Sequence, residues 1–301
     1  MKYLITIVGP TAIGKTALSI KLAQHFNTEI ISCDSRQFFK EMTIGTAVPE
    51  PEEQAAALHH FIQNKSIHQE YSVGHFEREA LEKLDDLFAK HKIVIMVGGS
   101  GLYVDAVLNG LDYFPTIDPT IRETLNKKLE TKGLESLQNQ LKELDLETYK
   151  QIALDNPHRI IRALEVCIGS GQTYSSFKNK PKTPRNFNPI KIGLTADREI
   201  IYDRINRRVD IMLDRGLLKE AKELYPLKEL NALQTVGYRE LFDFFDEKTD
   251  FDFAVQEIKK NSRRFAKRQM TWFKRDEKTL WFDYLTDVSE IIKNIDSKLE
   301  K

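Results

Sequence analysis

The sequence predicts an α/β protein: a parallel sheet with helices on both faces, interrupted by an all-helical insertion. Three observations carry that expectation. Short, uninterrupted apolar runs alternate with helical patterns through the first hundred residues, which is how strands buried on both faces read. From 115 to 171 only helical periodicity remains. Strand character then resumes at 190–196, after a linker at 178–189 that holds three prolines. The expected organisation is a core of residues 1–114 and 190–301, with the insertion at 115–189.

The elements follow in order. Residues 4–8 read as a buried strand, and 15–26 as a helix that buries Leu18, Leu22, Ala23 and Phe26. A second short strand is expected at 29–33. Residues 76–88 form an amphipathic helix with Ala80, Leu81, Leu84, Leu87 and Phe88 on one face. Ile93–Val97 is a third strand, ending at Gly98-Gly99. In the insertion, Ile121, Leu125 and Leu129, then Leu134, Leu137 and Leu141, keep helical spacing. Long helices are expected at 199–213 and 253–274.

Composition narrows the function classes. Lys plus Arg and Asp plus Glu balance at 45 each in 301 residues, so no global basic excess marks a nucleic-acid binder. Local stretches do. Residues 259–275 hold eight Lys/Arg and no acid, and 178–191 hold five and no acid. One such stretch reads most simply as a solvated face. Two in a chain neutral overall point toward phosphate-backbone contact. Cys33 and Cys167 lie outside any CxxC pattern, which suits a reducing, cytoplasmic compartment. No stretch reaches the roughly 18 apolar residues of a membrane span.

Gly9, Pro10, Thr11, Ala12, Ile13, Gly14, Lys15 and Thr16 fit the phosphate-loop pattern G-x-x-x-x-G-K-[ST]. Glycines let backbone N–H groups turn inward around phosphate oxygens, and the following helix adds its N-terminal positive charge. Lys15 neutralises the terminal phosphate, and the Thr16 hydroxyl can ligate Mg²⁺. The pattern follows an expected strand and opens an expected helix, so a P-loop NTPase-like core is expected. Nucleotide and diphosphate ester would fit the same cradle.

An ATPase normally adds an apolar strand ending in a metal-holding acid. Here Ile93–Val97 runs into Gly98-Gly99-Ser100, and the acid stands after the second strand, as Asp34. A carboxylate there faces an acceptor rather than a motor's metal, which points to a transferase. An N-cap or turn role would serve the same acid. On the helix at 199–213, Arg204 and Arg208 lie four apart on one face. They read equally well as phosphate ligands or as solvated arginines.

Several further stretches form a recognisable set. They are Asp34-Ser35-Arg36-Gln37 with Ile44-Gly45-Thr46-Ala47, His59-His60, Tyr71-Ser72-Val73 and Gly98-Gly99-Ser100-Gly101-Leu102-Tyr103. Further on come Arg159-Ile160-Ile161-Arg162-Ala163-Leu164-Glu165, Gly237-Tyr238-Arg239-Glu240 and Ala266-Lys267-Arg268-Gln269-Met270-Thr271-Trp272-Phe273. Together these stretches resemble the tRNA dimethylallyltransferase (tRNA isopentenyltransferase) family, and the resemblance runs from residue 4 to about 282 with the motifs in family order.

The resemblance implies transfer of a dimethylallyl group from dimethylallyl diphosphate to N6 of the adenosine 3′ of the anticodon. The acceptors are tRNAs that read codons beginning with U. Diphosphate is released, Mg²⁺ assists and ATP is not consumed. It makes Asp34 the base, Arg208 the diphosphate contact, and Lys15 and Thr16 parts of the donor cradle. It also implies tRNA contacts along Asp34, Ser35, Arg36 and Gln37, with Ser100 nearby, and along Gln234, Thr235, Val236, Gly237, Tyr238 and Arg239. From the insertion it adds Arg122 and the run His158, Arg159, Ile160, Ile161 and Arg162. Phe38, Tyr103 or Tyr238 would suit as stacking platforms for the splayed bases.

Departures from the family pattern are few. Ile13 replaces a small residue, Ser100 replaces Thr, and Phe39-Lys40 replace a Tyr-Arg pair. His158 stands where Gln or Arg is usual, which leaves that contact open. No Cys/His cluster of the eukaryotic zinc-finger kind occurs, so the bacterial form, usually a monomer, is expected. The competing readings are a small-molecule or nucleotide kinase on the same fold, an isopentenyltransferase acting on free adenine nucleotides, and a nucleotide-regulated RNA-binding module.

Overall fold

Apolar strand residues decide the centre of the molecule. The computed structural model describes residues 1–299. In chain order the elements are β1 (Tyr3–Val8), α1 (Lys15–His25), β2 (Ile30–Ser32), α2 (Pro51–Ala56), β3 (His59–His60), α3 (Val73–Phe88), β4 (Ile93–Val97) and α4 (Gly101–Asn109). Then come α5 (Pro119–Leu144), α6 (Leu146–Gln151), α7 (Pro157–Ser170), β5 (Asn188–Thr195), α8 (Arg198–Asp214) and α9 (Leu217–Leu224). The chain closes with α10 (Tyr238–Phe245), α11 (Phe251–Phe273), β6 (Leu280–Asp283) and α12 (Val288–Leu299).

All six strands form one parallel sheet in the order β3-β2-β4-β1-β5-β6. Side chains alternate across it. Leu4 and Val8 of β1 join Phe76, Leu84, Val94 and Val104 on one face. Ile5 and Ile7 join Leu18, Leu22, Ile192 and Ile205 on the other. Both faces are therefore covered, and this is the P-loop NTPase-like architecture. The carboxyl ends of β1, β2 and β4 lie along one edge, where open α/β sheets bind their ligands.

Strand β5 starts at Asn188, two residues before the expected 190, and so includes Pro189. The Asn188 N–H donates to Lys2 O on β1, so alternation turns the Pro189 nitrogen toward β6. That neighbour begins pairing only at Ile192, and no ladder bond is lost. His59 and His60, for which the sequence predicts no element, form the edge strand β3. His60 Nε2 meets Glu29 Oε2 at 2.6 Å, and His59 Nδ1 meets Ala57 O at 2.8 Å.

The chain divides into two compact units, 1–109 with 185–301, and 110–184. These bounds differ by about five residues from those expected, for a local reason. Arg185 donates to Ala106 O and Val107 O and pairs with Glu77, which ties the end of the linker to the first unit. In the second unit, Phe114 stacks on Tyr174 at 4.7 Å. That unit is entirely helical among its regular elements, with Leu125, Leu137, Leu141, Ile160, Ile161 and Leu164 as its core. Gly133, at φ 73°, breaks α5 into two segments. Among the described residues, no helix is long and apolar enough to cross a membrane.

Candidate active site

The loop between β1 and α1 has the conformation its sequence requires. Gly9 adopts φ 143°, and a Cβ there would lie 2.6 Å from Leu194 O on β5. Gly14 is left-handed at the N-cap of α1, which has no side-chain cap. The first N–H groups of that helix stay free for an anion. Ala12 takes φ 64°, a strained value for a residue with a Cβ and one that concentrates at binding sites. Ile13 turns away from the loop into the core.

Cations converge on this loop. Lys15 Nζ donates to Pro10 O at 2.8 Å. From α8, Arg204 Nε donates to Ala12 O at 2.8 Å and Arg208 Nη1 to Thr11 Oγ1 at 3.3 Å. The four-residue spacing thus brings both arginines to the loop. Burial pushes the Lys15 ammonium down to about 8; Asp34 opposes that shift and Arg208 adds to it. Burial also lowers Arg208, again against Asp34.

Asp34 follows β2 directly. Its Oδ1 accepts the Arg36 N–H at 3.1 Å, so the turn role is real. The same carboxylate also acts electrostatically on Lys15, Arg208 and Arg36. It stands where two cavities meet. One, of about 630 Å³, is lined by the loop from Thr11 to Thr16 and by Arg204 and Arg208. The other, of about 520 Å³, is lined by Ser35, Arg36, Ser100, Tyr103 and residues 234–237 with Arg239. Thr11, Asp34, Thr46, Arg208 and Met212 line both.

The remaining sequence-selected residues fall on several surfaces. Ser100 Oγ accepts the Ser35 N–H at 3.1 Å. Gln37 lies on the loop side, where its amide holds Thr46 O and Ala47 O. Gln234 and Arg239 are exposed at the rim. Tyr238 is 0% exposed and donates its hydroxyl to Glu220 at 2.7 Å, and Phe38 is 0% exposed and stacks on Phe76. Neither can act as a stacking platform; Tyr103 and Trp272 line the second cavity. In the helical unit, His158, Arg159 and Arg162 border a cavity of about 430 Å³ with Lys178 and no carboxylate. Arg122 and Arg162 both pair with Glu165. Ile160 and Ile161 are buried in that unit's core. The helical period turns them inward, so their side chains reach no external ligand.

Two positioning residues escaped sequence reasoning. Gln269, 5% exposed, accepts the Thr11 N–H at 2.9 Å and donates to Gly99 O at 2.9 Å. It ties the loop to the end of β4. The available signal was a lone amide between Ala266 and Phe273 on the buried face of α11. Gln269→Leu should leave both groups unpaired, at about 1–3 kcal/mol each. Denaturant unfolding should show that loss, together with weaker binding of a phosphorylated ligand. Glu220 accepts from the backbone N–H groups of Thr43, Ile44 and Gly45 and from Tyr238, which fixes the 43–46 segment beside both cavities. Nothing in its own segment distinguishes it from a solvated helical acid.

Sheet, loop and helix-borne arginines define a protein of the P-loop class whose loop faces a carboxylate rather than a second metal-binding strand. Comparison with known proteins narrows this. A family model described as IPP transferase matches residues 37–276. The tRNA dimethylallyltransferase of Flavobacterium psychrophilum is 63% identical across the whole of both chains. The tRNA dimethylallyltransferase 1 of Bacteroides fragilis is 49% identical over 93% of each. Among solved structures, the tRNA isopentenylpyrophosphate transferase of Bacillus halodurans superposes with a TM-score of 0.75 at 36% identity, over 100% of this chain and 97% of that one. A eukaryotic dimethylallyltransferase acting on tRNA gives 0.80 at 27% identity, over 99% and 78%. The chain belongs to the IPP transferase family. That membership decides against the kinase reading.

Proposed function

We propose that the chain transfers a dimethylallyl group from dimethylallyl diphosphate to N6 of the adenosine 3′ of the anticodon, in tRNAs that read codons beginning with U. The observation that carries this reading is the meeting of the two cavities at Asp34 and Arg208. One offers amides and cations to a diphosphate; the other offers polar and aromatic groups to a purine.

Adenine N6 is a weak nucleophile because its lone pair is delocalised into the ring. Asp34 accepts the N6 proton as the N6–C1 bond forms. The C1–O bond breaks, its electrons leave with diphosphate, and Lys15, the loop amides and Arg208 stabilise the growing charge. Thr16 is the residue that would hold Mg²⁺. Among the described residues, no cluster of three or more His, Cys, Asp or Glu could hold a metal. A single hydroxyl suits Mg²⁺, which commonly takes few protein ligands and completes its shell with phosphate oxygens and water. Bound there, it would neutralise charge on the diphosphate.

The adenosine must leave its stack to enter, at a cost of a few kcal/mol. Ser35, Arg36, Ser100 and the 234–239 segment would receive it. In the helical unit, Arg122, His158, Arg159 and Arg162 would contact the anticodon stem-loop. Part of the basic α11 is engaged internally: Lys259 pairs with Asp210 and Arg263 with Asn206. Arg264, Lys267 and Arg268 are exposed and would meet phosphates. Charge reversal at Arg264 and Lys267 should weaken tRNA binding and lower the salt slope by about one per lost contact. An unchanged slope would return this face to plain solvation. The enzyme is read as a monomer of the cytoplasm, where the two buried, unpaired cysteines would stay reduced.

The test combines purified protein, Mg²⁺, dimethylallyl diphosphate and unmodified tRNA with A-A-A at the anticodon flank. Digestion and mass spectrometry should show N6-dimethylallyl adenosine, absent when the acceptor is G. Product from AMP but not from tRNA would move the protein to the free-nucleotide reading.

A further inference from the structure

Five residues line both cavities, and four of them, Thr11, Asp34, Thr46 and Arg208, are polar. The fifth is Met212. Helix α8 places it four residues beyond Arg208, an axial step of about 6 Å on the same face. Successive turns of α8 therefore present Arg204 to Ala12 O, Arg208 to Thr11 Oγ1, and then a thioether. Thr46 offers little competing polarity, since its hydroxyl donates to Met42 O at 2.6 Å. Behind Met212 lies a packed wall: it sits half-buried against a cluster that includes Met42, Val209, Leu217 and Tyr238.

Displacement at an allylic carbon has a directional demand. N6 must approach C1 from the side opposite the departing oxygen. The rest of the donor then leaves that axis sideways, at the junction of the two cavities. For a dimethylallyl group this is four apolar carbons, branched and three bonds long from C1, which fits within the step of about 6 Å from Arg208 to Met212. We propose that Met212 is the length stop of the donor site: its side chain closes the wall that the prenyl tail meets, and excludes allylic diphosphates one isoprene unit longer. This inference rests on the function proposed above.

The experiment compares dimethylallyl and geranyl diphosphate as donors to unmodified tRNA, as a ratio of kcat/KM, in wild type, Met212→Ala, Met212→Phe and Leu213→Ala. One methylene of pocket space changes such ratios about tenfold or more. Met212→Ala should shift the ratio toward the geranyl donor by at least that factor, with tRNA affinity unchanged. Met212→Phe should raise KM for the dimethylallyl donor while kcat changes less. Leu213→Ala lies on α8 outside both cavity linings and should leave the ratio alone, which separates a length stop from general loosening of the helix. An active Met212→Ala with an unchanged ratio overturns the inference and leaves the proposed function standing. So does loss of both donors with intact tRNA binding, because removing a length stop spares the short donor. Should Met212→Ala fail to fold, an unchanged donor KM in Met212→Phe overturns it as well. A wild-type protein that prenylates no tRNA removes the proposed function, and the inference falls with it.

Discussion

Asp34→Asn should lower turnover by about 10²–10⁴-fold, the usual worth of a positioned general base, and leave tRNA affinity nearly intact. Asparagine keeps the size of the side chain and an oxygen able to accept the Arg36 N–H that Asp34 Oδ1 now takes. The turn should survive, and the effect should appear in the chemical step. Single-turnover rates at saturating donor, beside filter binding of tRNA, separate the two. Full activity in the variant would falsify the assignment of the base. A second consequence follows from charge. Asp34 holds the Lys15 ammonium higher than burial alone would, so its removal should move the Lys15 titration to lower pH. Donor affinity measured without tRNA should therefore begin to fall at a lower pH in Asp34→Asn than in wild type. A change in kcat without this shift would place Asp34 near the acceptor but electrostatically remote from the loop.

Whatever depended on local period or on a contiguous motif could be read in the sequence. The strands β1 and β4, the loop from Gly9 to Thr16 and the paired arginines of α8 all follow from nearest neighbours in the chain. Motifs taken as blocks were less informative. In the run from His158 to Arg162 the helical period divides the residues, sending Ile160 and Ile161 to the core and His158 and Arg159 outward. Tyr238 and Phe38 look like platforms until the packing around them is known. Gln269 and Glu220 were not legible, because their partners are remote: 258 residues separate Gln269 from Thr11, and 175 separate Glu220 from Gly45. The chain around such a residue shows at most that it is buried, as the lone amide on the inner face of α11 does for Gln269, and never which backbone it holds. Strand β3 was missed for the opposite reason: two histidines at a sheet edge carry neither apolar run nor alternation.

Lys15→Met should weaken binding of the diphosphate donor by about 2–5 kcal/mol, the range for removing one partner of a buried charged contact, and should flatten its pH dependence. The wild-type profile has a definite sign. In the free protein the Lys15 ammonium is lowered from 10.5 to about 8, with burial as the main cause. Below about 8 it is charged and ready for the anion, so donor affinity should be level there. As pH rises through 8, binding must first restore the proton, and affinity should fall by up to about tenfold per pH unit. The free protein should respond in the opposite direction. Between 8 and 10.5 the unfolded chain holds a proton that the folded site has released, so stability rises across that window and is lost as pH falls back through it. Calorimetric titration of the donor without tRNA, beside thermal unfolding of the free protein across the same pH range, would show the two slopes crossing. In Lys15→Met both slopes should vanish. If the donor profile stayed level through pH 9 in wild type, the ammonium would not be titrating in the cradle, and the charge that grips the diphosphate would have to come from Arg208 and the loop amides alone.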